Sequence, residues 1–247
     1  MPSNNLPWLA DGDPFPAPEL AWGQITDAPG LLAVGASLDI STLLDAYSNG
    51  IFPWFSQGQP TLWWSPDPRM VLGLKNFRLH RSLRKTIRRF RTSPNCEIRV
   101  DSAFEFVINA CSSSPRFGQA GTWIVPAMVQ AYIDLHHAGF AHSVETWVDG
   151  KLEGGLYCVA IGKAVCGESM FARSTDASKI ALSALIAICR HDSVELIDCQ
   201  QNTQHLAFLG ADEINRAEFL THTRRARHQA GPVWQFSPLY WEHVLSA

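Results

Sequence analysis

The run AHSVETWVDGKLEGGLYCVAIGKAVCGESMF, residues 141–171, decides the fold class of this chain. It is rich in β-branched and aromatic residues, and it contains the turn signals Asp149-Gly150 and Ile161-Gly162-Lys163. β-Branched and aromatic residues favour strands, and a two-residue Asp-Gly turn is a strong hairpin signal. The run therefore predicts two or three strands joined by tight turns.

Helices and a further strand are predicted on both sides of this run. Before it, the helical pattern begins at Pro126 and Gly139 follows its end, as is typical of helix termini. After it, SKIALSALIAICRH (178–191) predicts a helix and VELIDCQ (194–200) a buried strand. Strands that alternate with helices in this way indicate a mixed α/β (α+β) sheet domain.

The first part of the chain has a different character. Its first 30 residues are rich in Pro and Gly, and a short helix that ends at Gly50 follows them. We therefore expect a small N-terminal domain over residues 1–91 and a mixed-sheet domain over residues 92–247.

Composition excludes several classes of protein. The chain has 247 residues, 46% apolar and 17% charged, and no apolar run approaches the eighteen residues of a membrane span. The N-terminus lacks the pattern of a secretory signal, so we expect a cytoplasmic protein without a membrane partner. The six cysteines show no CxxC spacing, which predicts reduced thiols and no metal site.

Charge is distributed unevenly along the chain. Residues 1–68 hold seven acids and no Lys or Arg, whereas residues 69–91 hold nine basic residues and no acid. Within the basic segment, HRSLRKTIRRFR (80–91) spaces its apolar residues as one helical stripe. That stripe consists of Leu83, Ile87 and Phe90, and the cations lie largely on the other faces: Arg81, Arg84, Lys85, Arg88 and Arg89.

This basic amphipathic helix predicts an anionic partner. No Glu or Asp is interspersed to form i,i+4 pairs, so the cations repel one another unless another molecule neutralises them. A solvated surface helix and a membrane surface are the alternatives. We favour phosphate, because concentrated basic patches are the usual footprint of nucleic acid.

A second unusual stretch is GIFPWFSQGQPTLWWSPDPR, Gly50 to Arg69, with three tryptophans and four prolines. We interpret Trp63 and Trp64 as structural residues that fill the gap between the two domains. Trp54 is different, because it follows Phe52-Pro53 at a predicted turn and precedes the basic helix in the sequence. Aromatic rings beside cations are a common way to hold unpaired bases. An unpaired RNA end is therefore a candidate ligand.

Two carboxylates lie in otherwise apolar strands of the second domain, Glu168 in CGESMF and Asp198 in LIDCQ. A carboxylate in apolar surroundings is costly unless it is paired, hydrogen-bonded or protonated, so each is either structural or part of a site. Gln200 lies two residues beyond Asp198, which places it on the same strand face in a regular strand. The pair of acids favours a site.

Taken together and in order, several motifs across roughly residues 28–215 resemble the leucyl/phenylalanyl-tRNA–protein transferase family. The motifs are GLLAVGASLDISTLLDAYSNGIFPWFS, LWWSPDPR, GTWI, AYIDLHHAGFAHSVE, GGLYCVAIGKAVCGESMF, ASKIAL and LIDCQ...HL...LGA. The resemblance implies a C-terminal domain similar to GNAT acyltransferases. It also implies transfer of Leu or Phe, with Met a further candidate, from tRNA to proteins with N-terminal Arg or Lys. Such transfer marks proteins for N-end-rule degradation and needs no cofactor.

The resemblance also implies roles for individual residues. Asp198, acting through Gln200, is expected to orient the acceptor amine and take its proton, and Glu168 to pair with the positive acceptor terminus. Alternatively, positioning and the terminal ribose hydroxyl suffice, and Asp198 mainly binds the amine. Trp54 and Trp123 are expected to hold the terminal adenine. The expected amino-acid pocket consists of Leu156, Val165, Met170, Leu182, Leu185 and Ile197, and the expected tRNA contacts are Arg81, Arg84, Lys85 and Arg88.

Two other functions compete with this interpretation. An acyl-CoA-dependent N-acetyltransferase needs a pyrophosphate loop before a helix, and RFGQAG (116–121) has the wrong spacing for one. A non-enzymatic RNA-binding module does not explain Glu168 and Asp198. We expect the protein to act as a monomer.

Overall fold

The computed structural model of the chain describes residues 6–114 and 124–246. Its helices are α1 Ile40–Ser48, α2 Arg81–Phe90, α3 Phe104–Ser113, α4 Pro126–His137, α5 Ala177–His191, α6 Gln204–Phe208, α7 Arg216–Ala226 and α8 Glu242–Leu245. Its strands are β1 Trp8–Leu9, β2 Leu31–Gly35, β3 Phe52–Pro53, β4 Leu62–Trp64, β5 Arg69–Gly73, β6 Cys96–Val100, β7 Ala141–Val148, β8 Lys151–Ile161, β9 Ala164–Ala172, β10 Leu196–Gln200 and β11 Asp212–Ile214. Short 3₁₀ turns lie at Pro18–Leu20, Leu74–Asn76 and Pro238–Trp241.

A seven-stranded mixed sheet forms the larger part of the molecule, in the order β11-β5-β10-β9-β8-β7-β6. Among the described strands of this sheet, β9 and β10 are the one parallel pair, and α5 makes the crossover that a parallel pair requires. The other neighbours in this sheet are antiparallel. The mixed α/β class is confirmed, and the run at 141–171 supplies the three consecutive strands β7, β8 and β9.

A second, four-stranded sheet has the order β1-β2-β4-β3 and forms the small N-terminal unit. Its strand β4 carries Trp63 and Trp64, both buried, and Trp63 is fully so. They share one apolar core with Phe104, Tyr132 and Tyr157 of the larger unit. The two tryptophans are therefore buried in an apolar core to which both units contribute.

The larger unit begins earlier than the predicted boundary at residue 92. Strand β5 lies inside the seven-stranded sheet, between β11 and β10. The apolar stripe of α2 packs into the same core as α5. The segment 69–91 therefore belongs structurally to the mixed-sheet unit, which starts at Arg69. A five-residue strand directly after a proline-rich loop gives too weak a local pattern to reveal this.

Within the described ranges, none of the helices combines the length and the apolar character that crossing a bilayer requires.

Candidate active site

Two β-bulges lie side by side on the parallel strands β9 and β10. Tyr157 pairs with Ser169 and Cys158 with Gly167, so Glu168 is the extra residue of β9. On β10 the register with β5 shifts between Asp198 and Gln200, and Gln200 has a positive φ of 63°. Bulges redirect side chains and are frequent beside active sites. They bring Glu168 and Gln200 together, with Gln200 Nε2 donating to Glu168 Oε1 over 2.9 Å.

These side chains face a cavity of about 330 Å³. Its apolar wall contains five of the six predicted pocket residues: Leu156, Met170, Leu182, Leu185 and Ile197. Its other lining residues include Trp54, Glu168, Gln200, His205 and Leu206. The prediction for Val165 needs correction, because this residue is buried and does not line the cavity. Val165 pairs with Ile197 across β9 and β10 and packs in the core behind the wall.

Trp54 forms part of the cavity wall and is half-buried. Its ring meets that of Trp64 edge to face, with centroids 5.4 Å apart, and Trp64 Nε1 donates to the Trp54 carbonyl over 2.7 Å. These contacts fix the ring that was expected to hold an adenine. Trp123, its expected partner, lies outside the described residues.

Glu168 is held from behind by two phenols that the sequence did not single out. Tyr47 Oη donates to Glu168 Oε1 over 2.8 Å, and Tyr132 Oη to Oε2 over 3.3 Å. The two phenol oxygens are 2.5 Å apart. Burial raises the pKa of Glu168 from 4.5 to about 7, although the bond from Tyr47 acts in the opposite direction. Burial also raises the pKa of both phenols well above 10, so each keeps its proton at neutral pH.

The three oxygen contacts among Tyr47, Tyr132 and Glu168 form a closed triangle. Each phenol has one hydrogen, so the two tyrosines can fill two of the three contacts. A proton on Glu168 supplies the third. The triangle is therefore complete when Glu168 is protonated and one hydrogen short when it is ionised. The raised pKa itself comes from burial, because the bonds from Tyr47 and Tyr132 lower it.

Asp198 lies in a different environment. Both of its oxygens pair with the buried Arg69, through Nε to Oδ1 at 2.8 Å and Nη2 to Oδ2 at 2.6 Å. Oδ1 also accepts from the Gln200 backbone N at 2.9 Å, and Oδ2 from Cys166 Sγ at 3.2 Å. Four donors thus occupy the roughly four acceptor positions of an ionised carboxylate.

The expectation that Asp198 and Gln200 share one strand face also needs correction. Gln200 lines the large cavity, whereas Asp198 lines a separate cavity of about 20 Å³ beside Arg69. The bulge at Cys199 breaks the alternation on which that expectation depended. Gln200 is connected to Asp198 through its backbone N–H, and its side chain points to Glu168.

Arg69 stays charged although it is buried. Burial alone would lower its pKa, but the ion pair with Asp198 more than offsets this and the pKa is raised. Its guanidinium also lies over two aromatic rings, 4.7 Å from the centroid of Phe52 and 4.5 Å from that of Phe219. Arg69 therefore joins the small N-terminal sheet, through Phe52, to the strand that carries the site.

Comparison with known proteins places the chain in one family. The model of the family "Leucyl/phenylalanyl-tRNA protein transferase" matches residues 71–224, and the model of the same enzymes' N-terminal domain matches residues 36–67. The chain belongs to the leucyl/phenylalanyl-tRNA protein transferase family. It is therefore an aminoacyltransferase, whose substrates are an aminoacyl-tRNA and a protein.

Relatives in this family match over almost their whole length. The leucyl/phenylalanyl-tRNA–protein transferase of Polaromonas sp. is 64% identical over 242 residues, which is 98% of this chain and 95% of that protein. Those of Albidiferax ferrireducens and Leptothrix cholodnii are 61% and 57% identical, each over 95% of its length and over 98% and 97% of this chain.

The basic helix α2 presents three cations along one exposed ridge. Arg81, Lys85 and Arg88 are exposed at helical spacing i, i+4, i+7. Among the parts of the chain that the structure describes, none of the three forms an ion pair. Arg84 differs, because it is half-buried and its Nη1 donates to the Leu245 carbonyl. Three of the four predicted tRNA contacts are thus open to a transferase's anionic substrate, and the fourth also holds the C-terminal helix.

Several site residues had no local signal in the sequence. Tyr47 and Tyr132 occupy buried positions of α1 and α4 that any apolar residue could fill by pattern. His205, in contrast, belongs to the motif LIDCQ...HL...LGA; it lines the cavity from α6, and its pKa is lowered by burial and by Lys179. In residues 6–114 and 124–246, no group of three or more His, Cys, Asp or Glu side chains is arranged to hold a metal ion.

Proposed function

We propose that this transferase moves Leu or Phe, with Met as a further substrate, onto proteins with N-terminal Arg or Lys and so marks them for N-end-rule degradation. One observation carries the proposal. A carboxylate whose pKa is near 7 lies in the same cavity as an apolar wall and a fixed tryptophan ring. An activated apolar aminoacyl group and a cationic amine can meet in such a cavity.

The donor occupies the apolar part of the cavity. The amino-acid side chain lies against Leu182, Leu185 and Ile197, and the terminal adenine lies against Trp54, with Trp123 as its second support. A wholly apolar pocket discriminates one methylene by only about 1–3 kcal/mol, so closely related apolar side chains are all accepted. Met170 adds an adaptable side chain to this wall.

The acceptor lies on the polar side of the cavity. A protein that begins with Arg or Lys carries two positive charges at its terminus, and ionised Glu168 attracts them by charge complementarity. The side chain of Gln200, bonded to Glu168, orients the amine. Holding amine and ester together in this geometry supplies much of the rate enhancement, because the donor is already an activated ester.

The proton moves to Glu168. The α-ammonium, with a pKa of about 7.7–8.0, transfers one proton to the Glu168 carboxylate, whose pKa of about 7 lies close to it. The free amine attacks the ester carbonyl, a peptide bond forms, and the bond to the ribose oxygen breaks. That oxygen takes the second amine proton. Support comes from the triangle with Tyr47 and Tyr132, which gains its missing hydrogen when Glu168 is protonated.

Asp198 positions the site in this mechanism. Its acceptor positions are occupied by Arg69, Cys166 and the Gln200 backbone, so a proton on Asp198 would have to displace one of these donors. Through the same contacts it fixes the backbone from which the Gln200 side chain reaches Glu168. We expect the enzyme to act as a monomer in the cytoplasm, where charged tRNA is present.

A filter assay tests the proposal. The protein is incubated with tRNA carrying labelled leucine and with peptides that begin with Arg, Lys or Ala but are otherwise identical. We expect label in the Arg and Lys peptides and little in the Ala peptide. Equal labelling of all three would contradict the acceptor specificity, and acetyl transfer from acetyl-CoA without leucyl transfer would contradict the function.

A further inference from the structure

Helix α6 ends in an exposed aromatic residue. Phe208 is 59% exposed, which is unusual for a phenylalanine next to a substrate cavity. Its ring stacks on that of His80, with centroids 3.9 Å apart and an interplanar angle of 17°. His80 Nε2 also lies 2.9 Å from the Phe208 carbonyl oxygen. One face of the phenyl ring is thus supported by His80, and much of the remaining ring is open to solvent.

This stacked pair lies between the cavity and the basic helix. Thr203, His205 and Leu206, at or near the start of α6, line the cavity. His80, on the other side of the pair, is the residue that precedes α2, where the ridge of exposed cations begins at Arg81. The stack of Phe208 on His80 therefore joins the helix that borders the cavity to the segment that begins α2.

The position of the pair is fixed by backbone contacts. Arg78 N donates to the Leu209 carbonyl over 2.8 Å, directly beside the stack. Gly210 has a positive φ of 98°, and a Cβ atom there would lie 2.1 Å from the Asn76 carbonyl oxygen. Only glycine allows the two segments to approach this closely. The end of α6 and the start of α2 are therefore held together as one surface.

The chemistry of this surface suits an unpaired nucleotide. An exposed aromatic ring with a rigid support is a stacking platform for a base, because every base has a π-face. Arg78 and Arg81 flank His80 in the sequence and are both exposed, so the adjoining phosphates have cations within the same segment. Between the terminal adenosine and the paired stem, the donor has unpaired nucleotides, whose bases are free to stack on such a ring.

We propose that Phe208, supported by His80, stacks on the base of the unpaired nucleotide that precedes the terminal adenosine of the donor. This inference rests on the proposed function. It adds a second base-binding position to the site, separate from the adenine position at Trp54. It also makes α6 the connection between the cavity and the basic helix α2.

The test compares three donors that carry the same phenylalanyl group: an aminoacyl-adenosine, an aminoacyl-trinucleotide with the natural end, and that trinucleotide with an abasic middle position. Apparent KM is measured for the unaltered enzyme, for Phe208→Ala, for Phe208→Trp, and for Phe106→Ala as the control. Phe106 is 73% exposed on α3 and lines neither cavity.

We expect Phe208→Ala to raise the KM of the natural trinucleotide about 5- to 150-fold, the range for one lost base stack. The aminoacyl-adenosine and the abasic trinucleotide should be unaffected by this change, and Phe208→Trp should retain tight binding of the natural trinucleotide. Phe106→Ala should leave all three donors unchanged.

Two outcomes would overturn the inference while leaving the transferase function intact. One is an equal loss with all three donors, which would indicate a structural role of Phe208. The other is no loss with any donor, which would show that the base does not contact the ring. Failure of the proposed function is distinguishable, since the unaltered enzyme would then transfer the phenylalanyl group from none of the donors.

Discussion

Asp198 and Glu168 lie on neighbouring parallel strands and yet have opposite surroundings. Asp198 is enclosed by Arg69 and two further donors, beside a cavity of about 20 Å³. Glu168 faces the large cavity, and the two phenols behind it lack one hydrogen for their three contacts. The difference between them is the charge of their partners: Asp198 is paired with the cation Arg69, whereas Glu168 accepts from the neutral side chains of Tyr47, Tyr132 and Gln200, and burial raises its pKa.

In the proposed mechanism, this strand pair separates support from proton transfer. A cation beside a carboxylate favours its charged form, whereas burial among neutral donors disfavours the charge. The bulges make the separation possible, because they place Glu168 and Gln200 on the cavity and leave Asp198 behind it. The predictions below test this division of roles.

The largest expected effect concerns turnover. Glu168→Gln keeps the shape of the side chain but removes its basicity, so the rate at saturating substrates should fall about 10²- to 10⁴-fold. The double variant Arg69→Gln with Asp198→Asn keeps hydrogen-bonding groups and removes both charges. Because Asp198 acts by position, its turnover should stay within about tenfold of the unaltered enzyme. A 10²-fold or greater loss in a folded double variant would restore Asp198 as the base.

The second prediction concerns stability. Arg69→Met leaves the carboxylate of Asp198 buried without its partner, so the free energy of unfolding should fall by about 3–5 kcal/mol. Denaturant unfolding monitored by circular dichroism measures this change in the free energy of unfolding. Arg88→Met, at an exposed position on α2, is the control and should change stability by less than about 0.5 kcal/mol. A similarly small change in Arg69→Met would mean that Asp198 is not held by this pair.

The third prediction extends the comparison to the apolar side of the cavity. Trp54→Ala should weaken binding of an aminoacyl-adenosine by about 1–3 kcal/mol, since one stacked base is lost. Titration with a non-hydrolysable analogue measures this. The control is Trp8→Ala, because Trp8 is 72% exposed and does not line the cavity. If Trp54→Ala bound the analogue with unchanged affinity but lost stability, Trp54 would instead be a structural residue packed between the two sheets.

The fourth prediction is a pH dependence of stability. The pKa of Glu168 is raised in the folded protein, so its ionisation disfavours folding, and this cost grows as pH rises from about 4.5 to about 7. Relative to Glu168→Gln, the unaltered protein should therefore lose about 2–3 kcal/mol of stability across that window, since each pKa unit corresponds to about 1.4 kcal/mol. Unfolding curves at pH 5 and pH 8 measure the difference. If the stability of the unaltered protein and that of Glu168→Gln changed in parallel with pH, folding would not raise the pKa of Glu168.

The sequence predicted features that follow a local period. Leu83, Ile87 and Phe90 repeat at helical spacing, and α2 forms with that stripe buried. The three strands of residues 141–171 were predicted from β-branched residues and turn signals. Motifs that resemble the family led to five residues of the apolar wall, which look like ordinary core residues by pattern alone.

The sequence failed where one residue or one distant contact decides the result. A bulge adds a single residue out of period, so alternation placed Gln200 beside Asp198 on one face and missed the separation into two cavities. The pair between Arg69 and Asp198 joins residues 129 positions apart, and Arg69 appeared only as the first cation of a basic segment. Val165 was assigned to the pocket from a motif. In the structure it pairs with Ile197 across β9 and β10 and packs in the core behind the cavity wall.

The most direct measurement is the pH dependence of the single-turnover transfer rate at saturating Arg-starting peptide, for the unaltered enzyme and for Glu168→Gln. With Glu168 as proton acceptor, we predict that the rate of the unaltered enzyme rises with a midpoint near 7, the pKa of this carboxyl. In Glu168→Gln the rise with a midpoint near 7 should disappear. The remaining, slower transfer should rise with a midpoint set by the pKa of the α-amine, about 7.7–8.0. An unchanged midpoint near 7 in Glu168→Gln would contradict the assignment of proton transfer to Glu168.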